Sequence, residues 1–173
     1  RTILANIVND KRDALPVSPC TELTLGQKDV VTTANSHLCS DMVDGLKCAS
    51  LNVNGLQAFY KAGHLKNFLL LHKPHILLLS EIRISAKKLH KLKSLHLMLA
   101  AFGFTFNHWN PSRKVLGLSG TAILSRLPPK HVFCGTADAN KCADDEGRLI
   151  TAVFDKFIVT NTYTPCSSWI DKK

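Results

Sequence analysis

The chain has 173 residues, 45% of them hydrophobic, and 22 Lys and Arg against 13 Asp and Glu give a formal net charge of +9. That length holds one ordinary domain with a real core, the composition fits a globular protein, and no apolar run is long enough to span a bilayer. A pI of about 9.4 favours polyanionic partners, nucleic acid ahead of an anionic membrane surface.

Residues 1–44 hold Asp10, Asp13, Glu22, Asp29, Asp41 and Asp44 with little sustained periodicity, and read as a loosely ordered N-terminal extension. They open on Arg1 rather than Met, as a fragment or processed product would, and carry no secretory signal pattern. Residues 45–173 form the domain. A strand is expected over 46–53, ended by the turn pair Asn54-Gly55. Ala58, Ala62, Leu65, Phe68 and Leu69 recur at helical spacing over 57–72, and Pro74 closes that helix. The apolar run 75–80 reads as a buried strand. A second helix over 86–102 sets Leu89, Leu92, Leu95 and Leu99 on one face and Lys87, Lys88 and Lys91 on another; Gly103 stops it. Strands follow at 104–109, 118–126 and 131–134, with a basic loop at 110–117, and 148–154 and 157–163 form a hairpin around Asp155-Lys156. This order predicts an α/β sandwich with a mixed sheet and flanking helices.

Glu81 stands out. It is the only carboxylate between Asp44 and Asp138, and it follows the buried strand. A lone carboxylate in basic surroundings needs a cation or a donor. Magnesium takes oxygen ligands and often keeps one or two carboxylates together with substrate phosphates. An ion pair with Arg83 or a lysine would satisfy the same charge, and on these residues alone the two readings stand even. The six cysteines, at 20, 39, 48, 134, 142 and 166, have no zinc spacing and read as reduced thiols of an intracellular protein.

Five blocks, in order, resemble the exodeoxyribonuclease III type of apurinic/apyrimidinic (AP) endonuclease within the endonuclease/exonuclease/phosphatase superfamily. They are Leu51-Asn-Val-Asn-Gly-Leu-Gln-Ala58, Leu79-Ser-Glu-Ile-Arg83, Gly117-Leu-Ser-Gly-Thr-Ala-Ile-Leu-Ser-Arg126, Asp144-Asp-Glu-Gly-Arg-Leu-Ile150 and Asn161-Thr-Tyr-Thr-Pro165. The resemblance implies the N-terminal half of a four-layered α/β sandwich, roughly one sheet with its helices. It implies Glu81 and Asn54 as metal ligands for Mg2+, with Mn2+ as an alternative. Tyr163, Asn54 and Asn52 become the catalytic candidates, Tyr163 on the scissile phosphate and Asn52 orienting Glu81. Lys61, Arg83, Arg113, Lys114 and Arg148 become DNA-phosphate contacts, joined by Lys87 and Lys88. The implied reaction is hydrolysis 5′ to an abasic site in double-stranded DNA during base excision repair, in the nucleus of a eukaryotic cell, with no membrane and no protein partner indicated.

The chain also departs from the family pattern. Ser80 stands for the usual Gln, Ile82-Arg83 for Thr-Lys, Gln57 for an arginine and Cys166 for an asparagine. The family's second half, with an Asp-x-Asn pair and a Ser-Asp-His ending, has no counterpart after Pro165. The chain alone is therefore expected to be catalytically weak, with no assigned general base and an exposed apolar sheet face. Two other readings are a retrotransposon-type endonuclease nicking undamaged DNA and a non-catalytic DNA-binding remnant.

Overall fold

The computed structural model describes residues 45–135 and 144–165. The expected N-terminal extension, 1–44, lies outside them. Seven strands and four helices occur among the described residues: β1 (Cys48–Asn52), α1 (Leu56–Lys61), α2 (His64–His72), β2 (Ile76–Ser80), α3 (Ala86–His90), α4 (Lys93–Ala101), β3 (Phe106–Asn110), β4 (Thr121–Ser125), β5 (His131–Cys134), β6 (Leu149–Val153) and β7 (Ile158–Thr162).

The strands form two sheets. The first is mixed, in the order β1-β2-β4-β3. β1 runs parallel to β2 with Cys48 opposite Ile76, while β4 runs antiparallel to both β2 and β3. The second is antiparallel, in the order β5-β6-β7. The expectation of a single sheet is therefore corrected: β5, β6 and β7 build another sheet, which packs on the first.

Alternation along a strand sends successive side chains to opposite faces, and the central strands use both. Leu77 and Leu79 of β2 join Ala122 and Leu124 of β4 under the helices, packed with Leu56, Leu65, Leu69, Leu89, Leu95 and Leu99. Ile76, Leu78 and Ile123 turn the other way, onto Ile150, Ala152 and Val159 of the second sheet. This two-sided burial explains why β2 and β4 are buried at every position and why β2 reads as an unbroken apolar run.

Each long expected helix is two short ones. The first breaks at Gly63, whose φ of 78° is left-handed, where Ala62 N and Gly63 N bond back to Ala58 O and Tyr60 O; glycine adopts that conformation without strain. The second breaks where Lys91 N and Leu92 N reach only three residues back, to Lys88 O and Leu89 O, tightening the last turn of α3. Apolar periodicity runs through both breaks because each pair of helices covers the same core.

The expected apolar sheet face is half-covered among the described residues. Among the described residues the exposed large apolar side chains are Leu70, Leu71, Leu97, Val115, Leu116 and Leu118, on the helices and the 111–120 loop. On the outer face of the second sheet Phe133, Leu149, Val153 and Ile158 are half-buried, and the Thr151 and Thr160 hydroxyls pair there at 3.1 Å. Of the two described cysteines, Cys48 is free and Cys134 is disulfide-bonded, so the reduced-thiol expectation holds only for Cys48.

Polar groups bolt the sheets together at one end. The buried Asn161 amide on β7 donates to Leu79 O at 2.9 Å and to Ala122 O at 3.0 Å. Thr121 Oγ1 donates to Gly147 O at 2.9 Å. Replacing Asn161→Val removes both inter-sheet bonds from a dry position, and should lower unfolding free energy by roughly 2 kcal/mol. Urea denaturation measures this, and an unchanged midpoint would contradict the bolt.

Candidate active site

The site grows from the ends of three strands. Beyond β1 and β2 the parallel pairing continues as loop bonds: Val53 N to Ser80 O, Gly55 N to Glu81 O at 2.8 Å and Leu56 N to Ile82 O at 2.9 Å. On the other side Ile82 N bonds Gly120 O and Arg83 N bonds Ser119 O. Held from both sides, the backbone takes left-handed φ values at Asn54 (42°), Glu81 (54°), Arg83 (46°) and Ser119 (42°). Non-glycine residues rarely adopt that region, and such strain gathers at functional sites.

The Glu81 carboxylate is the centre. Oε1 accepts from Asn52 Nδ2 and from the Tyr163 hydroxyl, each at 2.9 Å. Oε2 accepts from the Arg83 guanidinium at 2.6 Å. Asn52 Oδ1 accepts from Asn54 N at 3.0 Å, which fixes the amide so that its NH2 faces Glu81. Burial works against the charge on Glu81, but Asn52, Tyr163 and Arg83 together outweigh it and hold the carboxyl below the usual glutamate range. Burial, then the bond to Glu81 and its charge, push the Tyr163 phenol up, so the hydroxyl keeps its proton at neutral pH and acts as a donor.

A second cluster flanks this centre. Asp144 accepts from Asn110 Nδ2 at 2.9 Å, Arg148 N at 2.7 Å and Leu149 N at 2.8 Å, and so shapes the turn ahead of β6. Glu146 pairs with Arg148 and with Lys114 at 3.3 Å; the bonds from Arg148 and Lys114 hold its carboxyl low. Arg113 lies 3.9 Å from Asp145. Tyr163 N bonds Arg148 O at 2.8 Å, and the Arg148 guanidinium sits 5.9 Å over the Tyr163 ring.

The structure thus brings together Asn52, Glu81, Arg83, Tyr163 and Arg148, and ties Arg113 and Lys114 to the neighbouring acidic turn. Asn54 contributes its backbone N–H to Asn52, and its exposed side chain stands next to that bond. Lys61 is exposed at the last position of α1, and Lys87 and Lys88 lie on α3; none joins the network around Glu81. Sequence reasoning assigned no role to Asn161, Asp144 or Asn110. The first two lie inside the quoted blocks, so the signal was present but not its geometry, while the place of Asn110 opposite Asp144 follows only from the fold.

Among the described residues no group of three or more His, Cys, Asp or Glu converges on a metal position. Glu81 offers less than a full set but enough for a hard cation, which can keep its waters and use one carboxylate. A carboxylate has about four lone-pair positions. Asn52 and Tyr163 fill those of Oε1 and Arg83 takes one on Oε2, leaving a single position on Oε2 for a metal.

Two packed sheets, helices on one outer face and a strand-end carboxylate held by asparagine and tyrosine define an α/β sandwich with a polar site at its strand ends. Residues 49–170 match the Endonuclease/Exonuclease/phosphatase family, and the chain belongs to that family. It is similar to Recombination repair protein 1 of Drosophila melanogaster, 33% identical over 136 residues, covering 75% of this chain and 18% of that protein. It is similar to the DNA repair nuclease APEX1 of Danio rerio, 31% identical over 123 residues, covering 71% of this chain and 37% of that protein. Its fold resembles that of an AP endonuclease from Archaeoglobus fulgidus, with a TM-score of 0.53 and 30% identity over 69% of this chain and 41% of that one. The chain spans less than half the length of each.

Two predictions come from this geometry. The folded Glu81 carboxyl titrates below its unfolded value, so the cluster's contribution to stability is whole above the ordinary value of 4.5 and is lost as pH falls through the folded value. Glu81→Gln should flatten the acid limb of a stability–pH profile while leaving its shape near neutrality; an unaltered acid limb would refute this. Gly147 has a φ of 65°, and a Cβ there would drive into the Asn110 carbonyl oxygen. Gly147→Ala should cost roughly 2–4 kcal/mol from backbone strain and overpacking, read as a lower thermal midpoint.

Proposed function

We propose that this chain is the N-terminal portion of an AP endonuclease of the exodeoxyribonuclease III type. The intact enzyme would hydrolyse the phosphodiester 5′ to an abasic site in duplex DNA, serving base excision repair inside the cell. One observation carries the reading: a buried-strand glutamate receives an asparagine from a second sequence block and a tyrosine from a third, across two sheets. An ordinary surface ion pair needs neither. The names of two similar proteins, a DNA repair nuclease of Danio rerio and an AP endonuclease of Archaeoglobus fulgidus, support the same substrate class.

In this reading Glu81 and the Asn54 side chain would hold Mg2+ or Mn2+, which would supply charge to polarise the phosphate and stabilise the leaving oxygen. Asn52 keeps the carboxylate aimed. The Tyr163 hydroxyl has one proton to give, so it can serve Glu81 or a phosphate oxygen but not both at once. Arrival of a phosphate would therefore exchange one acceptor for another without moving the ring far. Arg148, stacked near that ring, with Arg83, Arg113 and Lys114, would meet neighbouring phosphates. Such contacts release counterions, so affinity would fall steeply with salt. The reading assigns no general base among the described residues, and the 173-residue chain is expected to cut slowly.

The test is nicking of a duplex with one abasic site in Mg2+. Slow nicking at that site is expected, abolished by a chelator and reduced about 100-fold or more by Glu81→Ala. Equal nicking of an intact duplex would favour the undamaged-DNA reading. Salt-sensitive binding with no metal-dependent cutting under any condition would favour a non-catalytic DNA-binding remnant. Robust cutting lost on Glu81→Ala would refute the expected weakness of the isolated chain.

A further inference from the structure

The bond between Arg83 and Glu81 is the feature that the proposed reaction leaves unexplained: a cation held on the one carboxylate oxygen with room for a metal. We infer that Arg83 is a built-in competitor for the metal position on Glu81, and that a divalent cation taking Oε2 releases the guanidinium to a DNA phosphate. This rests on the proposed metal role of Glu81.

Three observations carry it. The first is occupancy: Oε1 is filled by Asn52 and Tyr163, so a metal must bind at Oε2, where Arg83 sits at 2.6 Å. Two cations on one oxygen repel. The second is exposure. The Glu81 side chain is 13% exposed and the Arg83 side chain 42%; the carboxylate is fixed by two neutral donors while the guanidinium reaches solvent. The Arg83 backbone is held by its bond to Ser119 O, so the exchange is a side-chain swing about a fixed point. The third is shape. A guanidinium presents a planar fork that fits a carboxylate and a phosphate in the same way, whereas a lysine would be a point charge on a flexible stem. The fork can leave Glu81 for a phosphate without changing its mode of bonding.

Metal binding and phosphate binding are then linked through one side chain. Without metal, Arg83 neutralises Glu81 and is withheld from DNA. With metal, the carboxylate is neutralised by the metal and Arg83 adds one cation to the DNA contact. The arrangement weakens metal binding by the free protein, and favours it when a phosphate waits to receive the guanidinium.

The test uses the whole 173-residue chain and Mn2+, followed by electron paramagnetic resonance without DNA. Arg83→Gln should bind Mn2+ roughly three- to tenfold more tightly than the unaltered chain, the size of a partly exposed ion pair removed. Arg83→Lys should fall between. Arg148→Gln, which removes the same charge on the Tyr163 side, should stay within about twofold. In DNA binding, Mn2+ should steepen the salt slope of the unaltered chain by about 0.9, one more phosphate neutralised, and the slope of Arg83→Gln by less. Unchanged or weaker Mn2+ binding in Arg83→Gln, with binding lost in Glu81→Gln, would overturn the competition and leave the metal reading standing. Equal tightening in Arg148→Gln would reduce the effect to general charge and also overturn it. Mn2+ binding retained in Glu81→Gln would overturn the metal reading and the competition together.

Discussion

The bond from Asn161 to Leu79 O and the bond from Tyr163 to Glu81 obey one constraint, and the site depends on it. Along a strand, residues two apart share a face. Asn161 faces the first sheet from β7 and finds Leu79. Two residues on, Tyr163 faces the same way and finds Glu81, two residues beyond Leu79. The register of one sheet over the other is thus set inside the core and read out at its edge. A shift by one residue would turn Asn161 and Tyr163 outward together. It would leave a carboxylate short of a donor at the edge and two carbonyls unbridged in the core.

That register also explains why the strained backbone persists. A left-handed φ costs a non-glycine residue about 1–2 kcal/mol, and it occurs here at Asn54, Glu81, Arg83 and Ser119. The middle loop is bonded on both sides and holds its neighbours: 80–82 to 53–56, and 82–83 to 119–120. Ile82, fully buried, packs against Gly120 so closely that a Cβ there would lie 2.7 Å from Cγ1. The apolar Ile82 therefore pins the chain between two polar residues that point to the site. Replacing the family's threonine by isoleucine fits that position, since its side chain goes to the core while its neighbours serve the surface.

Much of this was legible in the sequence, for identifiable reasons. β2 and β4 announce themselves because two-sided burial leaves polar residues only at their ends, Ser80, Thr121 and Ser125. Glu81 announces itself by charge, as one carboxylate in a basic stretch, and Asn52, Tyr163 and Arg148 by the blocks they occupy. Helix breaks at Gly63 and Lys91–Leu92 were not legible, because the apolar spacing continues across them and only backbone bonding interrupts it. The second sheet was underestimated because its strands are short and half-polar: Thr151 and Thr160 pair with each other on the face away from the first sheet. Asp144 was passed over as one of three consecutive acids, though it alone folds back to cap Arg148 N and Leu149 N and to meet Asn110.

The charge balance is where sequence and structure differ most usefully. A net +9 suggests an open basic face, yet near the site Arg83 faces Glu81, Arg113 faces Asp145, and Lys114 and Arg148 share Glu146. These pairs are not equivalent. The Arg113–Asp145 pair is largely exposed and those at Glu146 are partly exposed, worth at most about 1 kcal/mol each, and a phosphate can exchange with them at modest cost. The pair at Glu81 involves a mostly buried carboxylate with two further donors, so removing its cation without replacement would strand a charge. In the proposed function the outer cations could therefore turn to DNA freely, whereas Arg83 could do so only when another positive charge takes its place. Under the proposed function the site would order its own events by burial: loose electrostatic contact at the rim first, and commitment of the central carboxylate only once a replacement cation is present.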